Sequence, residues 1–265
     1  MIPNDNIVNP LLKEILWYIN EAAVPLGIDF YVAGAVARDY HLSKMPDYIP
    51  SRRTEDIDVA VMVANEEEFI QLKKALINTL LFKEHKEPIK LIYKDSIELD
   101  LLPFGDIEES GITRLTQPKI FTLDMPGFFL LNEFTELVQW NEEFKAKVCV
   151  LEGIVLLKLI AYNDKPQRTK DFIDIQQIIK HYFYITSDDI YEHHFDLLEL
   201  YDENDLQGYI PKVCAHVIGR KLKVMLQTDA KLNERIHGIL NNSEQNFWEN
   251  ILKGLSEIDN ITPVI

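Results

Sequence analysis

The sequence predicts an α/β (α+β) protein: a mixed sheet with flanking helices over residues 1–150, then a helical domain over 151–265. Three observations carry this. Short apolar, valine-rich segments alternate with segments of helical periodicity up to about residue 103. Two strand candidates then follow each other without a helix between them, which makes the sheet mixed rather than purely parallel. From Leu151 onward only helical spacing recurs.

The elements follow in order. Leu11, Leu12, Ile15, Leu16, Ile19 and Ala23 sit at helical spacing and predict a helix over 10–25. Ile28–Val32 reads as a short strand that runs through Gly34-Ala35 into a helix, Val36–Leu42. A loop over 43–54 holds Pro46, Pro50, Ser51, Arg52 and Arg53 and leads into a strand opened by Asp56. Glu66–Phe82 reads as an amphipathic helix, with Glu66, Glu67 and Glu68 suited to the positive end of its dipole. Ile89–Tyr93 and Ile97–Leu102 are strands joined by the turn Lys94-Asp95-Ser96. Further short strands are expected near 119–123, 135–140 and 146–150. Helices are expected at Leu151–Tyr162, Arg168–Phe183, Asp188–Leu200, Leu206–Leu226 and Glu244–Leu255.

Composition narrows the function. The 265 residues carry 27 basic against 43 acidic side chains, a net charge of −16. Such a chain is poorly suited to non-specific duplex binding, which neutralises phosphates with lysine and arginine. A local basic patch or bridging metal ions would still admit a nucleic acid. Cys149 and Cys214 lie far apart in apolar surroundings and read as reduced core thiols. Residues 1–10 lack the pattern of a signal peptide, and no apolar run reaches the ~18–20 residues that span a bilayer. The expectation is a cytoplasmic protein without a membrane partner.

The chemistry concentrates in Asp56-Ile57-Asp58, which opens the run Val59-Ala60-Val61-Met62-Val63. Residues i and i+2 of a strand share a face, about 6–7 Å apart. Asp56 and Asp58 can therefore converge on one point, where two carboxylates repel unless a cation or proton lies between them. Read alone, the pair is equally well a solvated strand end. Asp100 supplies a third acid, set between Leu99 and Leu101 where burial is costly unless it is paired or bound to metal. Three carboxylates from two strands can hold two Mg²⁺ ions about 3.5–4 Å apart, an arrangement used for in-line phosphoryl or nucleotidyl displacement. Glu98 shares that face and is read as an outward-facing neighbour. Gly34-Ala35, between a strand and a helix, lets backbone N–H groups approach phosphates, although a glycine there is more often a simple turn.

Val32-Ala33-Gly34-Ala35-Val36-Ala37-Arg38-Asp39, Arg53 to Val61 with its two aspartates, Glu98-Leu99-Asp100-Leu101-Leu102-Pro103-Phe104-Gly105, Leu156-Leu157-Lys158-Leu159-Ile160-Ala161-Tyr162 and Arg168-Thr169-Lys170-Asp171-Phe172-Ile173-Asp174-Ile175 together resemble the AbiEii-type toxin nucleotidyltransferases. That group lies within the nucleotidyltransferase superfamily typified by DNA polymerase β. The resemblance spans residues 30–180 and implies transfer of a nucleoside monophosphate from an NTP to a hydroxyl, with release of pyrophosphate. It implies Asp56, Asp58 and Asp100 as Mg²⁺ ligands, and Gly34, Ala35 and Arg38 with Lys158 as nucleotide-binding residues. Lys158 would balance the triphosphate charge, and Asp171 would hold Lys158 or act on the acceptor. Asp174 shares a helix face with Asp171, but Asp171 fits the family motif better. Ala35 departs from the superfamily loop, which usually has Gly or Ser there, so phosphate contact would rest on backbone N–H groups. The Arg38-Asp39 ending is also similar to the loop of tRNA CCA-adding enzymes.

On analogy the expected acceptor is tRNA, in a toxin–antitoxin or phage-defence setting with a cognate antitoxin. The alternatives are a small hydroxylated acceptor such as an antibiotic, and a non-catalytic nucleotide-binding module. Lys212, His216, Arg220, Lys221 and Lys223 form a basic stretch that reads as a solvated helix face or, less simply, as a dock for RNA. His193-His194 lacks partners at metal-ligand spacing and reads as surface.

Overall fold

A computed structural model describes residues 11–46, 48, 49, 56–140, 142, 144–242 and 247–258. The Arg53-Thr54-Glu55 lead-in to the aspartate strand lies outside the described residues, as do Pro50, Ser51 and Arg52 and the expected helix start at Glu244. The chain divides into two compact units, Met1–Ile154 and Val155–Ile265, each taken by itself below. The architecture is a mixed α/β sheet with flanking helices and a run of helices after it.

In the first unit a seven-stranded sheet has the order β3-β4-β5-β2-β1-β10-β9. Its strands are β1 (Asp29–Val32), β2 (Asp56–Met62), β3 (Phe82–Glu84), β4 (Lys90–Tyr93), β5 (Ile97–Phe104), β9 (Thr135–Gln139) and β10 (Lys145–Cys149). β2 pairs parallel with β5, as β1 does with β10, and the other neighbours are antiparallel. A separate antiparallel sheet joins β6 (Glu108–Glu109), β7 (Ile112–Leu115) and β8 (Phe121–Asp124). The strands expected near 119–123, 135–140 and 146–150 correspond to β8, β9 and β10; β6 and β7 are additions.

One face of the large sheet is apolar because its strands alternate. Leu91 and Tyr93 of β4, Ile97 and Leu99 of β5, and Ile57 and Val59 of β2 are buried. α1 (Leu11–Ala23) buries Leu12, Ile15, Leu16 and Ile19. Tyr18 of α1 meets the Phe82 and Tyr93 rings at 6.1 and 6.4 Å. α1 therefore covers the face opposite Lys90, since alternate residues of β4 point to opposite sides. α3 (Glu66–Asn78) begins at Asn65, whose side chain accepts from the Glu68 amide at 3.0 Å. It stops short of the expected Phe82: Thr79 donates its hydroxyl to the Leu76 carbonyl, and Leu80 turns left-handed at φ 62°. The residues after it become β3 instead.

The helical unit contains most of α5 (Leu151–Asp164), then α6 (Thr169–His193), α7 (Phe195–Leu200), α8 (Tyr209–Leu226), α9 (Ala230–Asn241) and α10 (Trp248–Leu255). α6 joins what read as two helices, with non-helical dihedrals at Thr186, whose hydroxyl donates to the Tyr182 carbonyl. α9 is an addition: Asp229 caps it by accepting from the Leu232 amide, and Leu232, Ile236, Ile239 and Leu240 form its buried stripe. α8 and α10 cross backbone against backbone. A Cβ on Gly219 would stand 2.1 Å from the Ile251 carbonyl oxygen, and one on Gly254 would stand 2.2 Å from that of His216. Only glycine permits that approach.

The packing of α3 gives a direct test. Leu72 is fully buried. Leu72→Ala should cost about 2–5 kcal/mol in urea unfolding, the range for truncating a packed core leucine.

Candidate active site

The parallel pairing of β2 with β5 sets Asp58 opposite Asp100 and Asp56 opposite Glu98. Paired residues share a face and neighbouring strands lie about 4.8 Å apart, so the register gathers four carboxylates on one side of the sheet. β4 adds Lys90 opposite Asp100. The Lys90 ammonium donates to Glu98 Oε2 at 2.6 Å and stands 2.9 Å from Asp100 Oδ1. The second approach is an ion pair of poorer alignment, and Asp100 Oδ1 is shielded from solvent. Glu98 keeps 43% of its side chain exposed, in keeping with an outward-facing neighbour, but it is tied to the row through Lys90.

These contacts set the protonation energetics. Burial pushes the Asp100 carboxyl up from 3.8 to about 6; Lys90 pulls it back, while Asp58 and Asp56 add to the rise. Burial works against the Lys90 ammonium, yet hydrogen bonding and attraction to Glu98 and Asp100 outweigh it and hold its pKa above the ordinary lysine value.

Gly34 closes the row from the side of β1. The Ala33 amide donates to the Asp58 carbonyl at 2.9 Å, and Gly34 then turns at φ 62° into α2 (Gly34–Leu42). A Cβ at Gly34 would fall 2.0 Å from Asp58 Oδ2. The backbone thus passes directly over the carboxylate, and the helix begins there with no side-chain cap at Ala33. Ala35 is half-buried in the first turn. The Arg38 side chain is 1% exposed. Its Nε and Nη2 both donate to Asp39 Oδ1, at 2.8 and 2.6 Å, and Tyr48 donates to the same oxygen. Burial beside that carboxylate drives the Tyr48 hydroxyl pKa upward.

Among the described residues no group of three or more His, Cys, Asp or Glu is already gathered as a metal site. The physical reason lies in the row itself: Lys90 draws Asp100 and Glu98 to its own charge, and Asp56 is exposed at the strand end. The donor set nevertheless fits a hard divalent cation. It consists of carboxylate oxygens, one of them shielded from solvent, beside a loop in which even a methyl group would collide with Asp58.

In the helical unit Lys158 is buried on α5 and bridges two carboxylates of α6. Its ammonium lies 3.2 Å from Asp171 Oδ1 and 2.6 Å from Asp174 Oδ2, and Arg168 Nε donates to Asp171 Oδ2 at 2.9 Å. Asp171 is one partner of Lys158, and Asp174 on the same helix face is the nearer. The two acids at i and i+3 bracket one cation.

The basic stretch of α8 is not a solvated face. Lys212 pairs with Asp205, Lys221 with Asp189, and Arg220 with both Asp196 and Glu257. His216 is buried, with Tyr201 at 2.8 Å on Nδ1 and Glu257 at 2.6 Å on Nε2. Lys223 donates to the Glu257 carbonyl. The acids that neutralise the stretch lie elsewhere in the chain. His193 is exposed, but His194 is half-buried, with Arg220 Nη1 at 3.3 Å from its Nδ1. Cys149 and Cys214 are buried and unbridged, and no described helix is long and apolar enough to cross a membrane.

A family model described as nucleotidyl transferase AbiEii toxin, type IV TA system, matches residues 16–235. No curated protein matches the chain in sequence. Solved structures with a similar chain path include the antibiotic-resistance factor ANT(2'')-Ia, at 13% identity over 71% of this chain and 100% of that one, with a TM-score of 0.40. Another is an antigenic nucleotidyltransferase-like protein from Paracoccidioides brasiliensis, at 20% identity over 66% and 78%, with a TM-score of 0.40. A CCA-adding enzyme in its apo form aligns at 12% identity over 96% and 70%, with a TM-score of 0.33.

The Asp100 environment predicts a pH signature. Its folded pKa of about 6 lies above the ordinary 3.8, so the folded chain holds this proton more tightly than the unfolded one. The stability it contributes is complete below about pH 4 and is lost as pH rises to about 6. Carbon-detected NMR of the side-chain carboxyl should show a midpoint near 6, and Asp100→Asn should flatten that part of the stability curve.

Proposed function

The chain belongs to the AbiEii nucleotidyltransferase toxin family, and from that premise we propose that it moves a nucleoside monophosphate from an NTP to a hydroxyl acceptor through the Asp56–Asp58–Asp100 row. The observation that carries the reading is the register of Asp58 against Asp100, with the Gly34 loop lying on Asp58. An acceptor oxygen bonds to the α-phosphorus, the bond from that phosphorus to the bridging oxygen breaks, and pyrophosphate leaves. Asp100, the buried carboxylate of the row, takes the hydroxyl proton. Asp56 and Asp58 would hold Mg²⁺ on the triphosphate side of the row. When bound, one or two such ions supply charge neutralisation on the phosphates. Gly34 and Ala35 present backbone N–H groups at the start of α2, where an anion is favoured.

In the helical unit Lys158 carries the positive charge proposed for the triphosphate, and Asp171 with Asp174 fixes its position. Positioning and charge neutralisation then account for most of the catalysis. The proposed acceptor is tRNA, in the toxin–antitoxin setting that the family description names. A small hydroxylated acceptor is the second reading. It is favoured by the net charge of −16 and by the pairing of the α8 basic residues with acids, which leaves that stretch poorly suited to a polyanion.

Asp58→Ala should abolish Mg²⁺-dependent transfer from an α-labelled NTP, and full retention would remove the row from the reaction. Incubating each labelled NTP with tRNA, protein and aminoglycoside pools should label the tRNA. Label appearing in the aminoglycoside alone would establish the second reading.

A further inference from the structure

The proposed reaction leaves Lys90 unused, although the register puts it on the carboxylate row opposite Asp100. Its side chain is only 14% exposed, so its charge is committed to neighbouring groups rather than to water. The two contacts it makes differ in kind. Toward Glu98 Oε2 the ammonium makes an aligned hydrogen bond at 2.6 Å. Toward Asp100 Oδ1, at 2.9 Å, it makes an ion pair of poorer alignment.

We propose that Lys90 is a resident counter-cation: a positioning residue that holds Asp100 in the row until a divalent ion arrives, and that Glu98 then retains. This rests on the reading that the aspartate row takes such an ion. An ammonium and a divalent cation cannot share one carboxylate oxygen without strong repulsion. One of them must withdraw, and a lysine has a flexible stem on which to do so. The Glu98 bond is already formed and survives the withdrawal. Lys90 thus sets a threshold for the ion, and Glu98 lowers that threshold by giving the ammonium somewhere to go. The two residues therefore act with opposite signs.

Titration with Mn²⁺ alone, following the free-ion signal by electron paramagnetic resonance, reads this without any turnover. Lys90→Met should tighten Mn²⁺ binding about tenfold or more. Lys90→Arg, which keeps the charge, should stay within about twofold of the parent chain. Glu98→Gln should weaken binding several-fold in the parent chain and change it little in the Lys90→Met background, because Glu98 acts through Lys90. Binding that is unchanged or weaker in Lys90→Met, or an equal Glu98→Gln effect in both backgrounds, overturns the inference while the aspartate reading stands. Failure of both the parent chain and Lys90→Met to bind Mn²⁺ overturns both. Circular dichroism checks folding, and Lys90→Gln replaces the methionine variant if that variant does not fold.

Discussion

Everything in this acidic row follows from one constraint: parallel pairing sets two aspartates, Asp58 and Asp100, side by side on adjacent strands. Like charges one strand spacing apart repel. The surrounding structure answers in three ways. Lys90 places an ammonium against Asp100. Burial raises the Asp100 pKa toward neutrality, so that a proton can share the load. Gly34 brings the backbone over Asp58 so closely that no side chain fits between them. Each answer would be a defect in an ordinary sheet. Together they make an acidic row that is tolerable as folded and suited to a cation.

Much of this was legible in the sequence because strand periodicity is simple. Asp56 and Asp58 at i and i+2 had to share a face once the following residues read as a strand. Gly34 was readable because it sits where a strand becomes a helix. The register of β2 against β5 was not readable, since nothing local specifies which residue of one parallel strand faces which residue of another. Lys90 carries a signal of its own, a lone lysine inside an apolar strand, just as Lys158 is a lone lysine inside an apolar helix. Asp174 could not be ranked against Asp171, because both lie on one helix face and only the reach of Lys158 separates them. β3 escaped because α3 ends without glycine or proline, on a left-handed leucine.

Charge composition proved a weaker guide than charge placement. The α8 stretch carries five basic or titratable side chains and no acid of its own, yet its partners arrive from α6, α7, the 201–208 segment and residues near the C-terminal helix. A one-dimensional window cannot see such neutralisation. Arg38 teaches the same lesson at short range. Its fixed fork of donors found the adjacent Asp39, and the guanidinium turned inward.

The glycine pair that lets α8 and α10 touch has a consequence for how the chain is made. α10 is the last described helix, and its fit against α8 depends on backbone contact at Gly219 and Gly254. The strands that carry the aspartate row are all complete by Cys149. During synthesis from the N-terminus the sheet can therefore form while α10 is still unmade. Over that interval the face of α8 that meets α10 stays uncovered, and His216 and Arg220 lack one partner, Glu257, which comes later still. The order of synthesis thus gives this protein a carboxylate row before it gives it a finished helical unit.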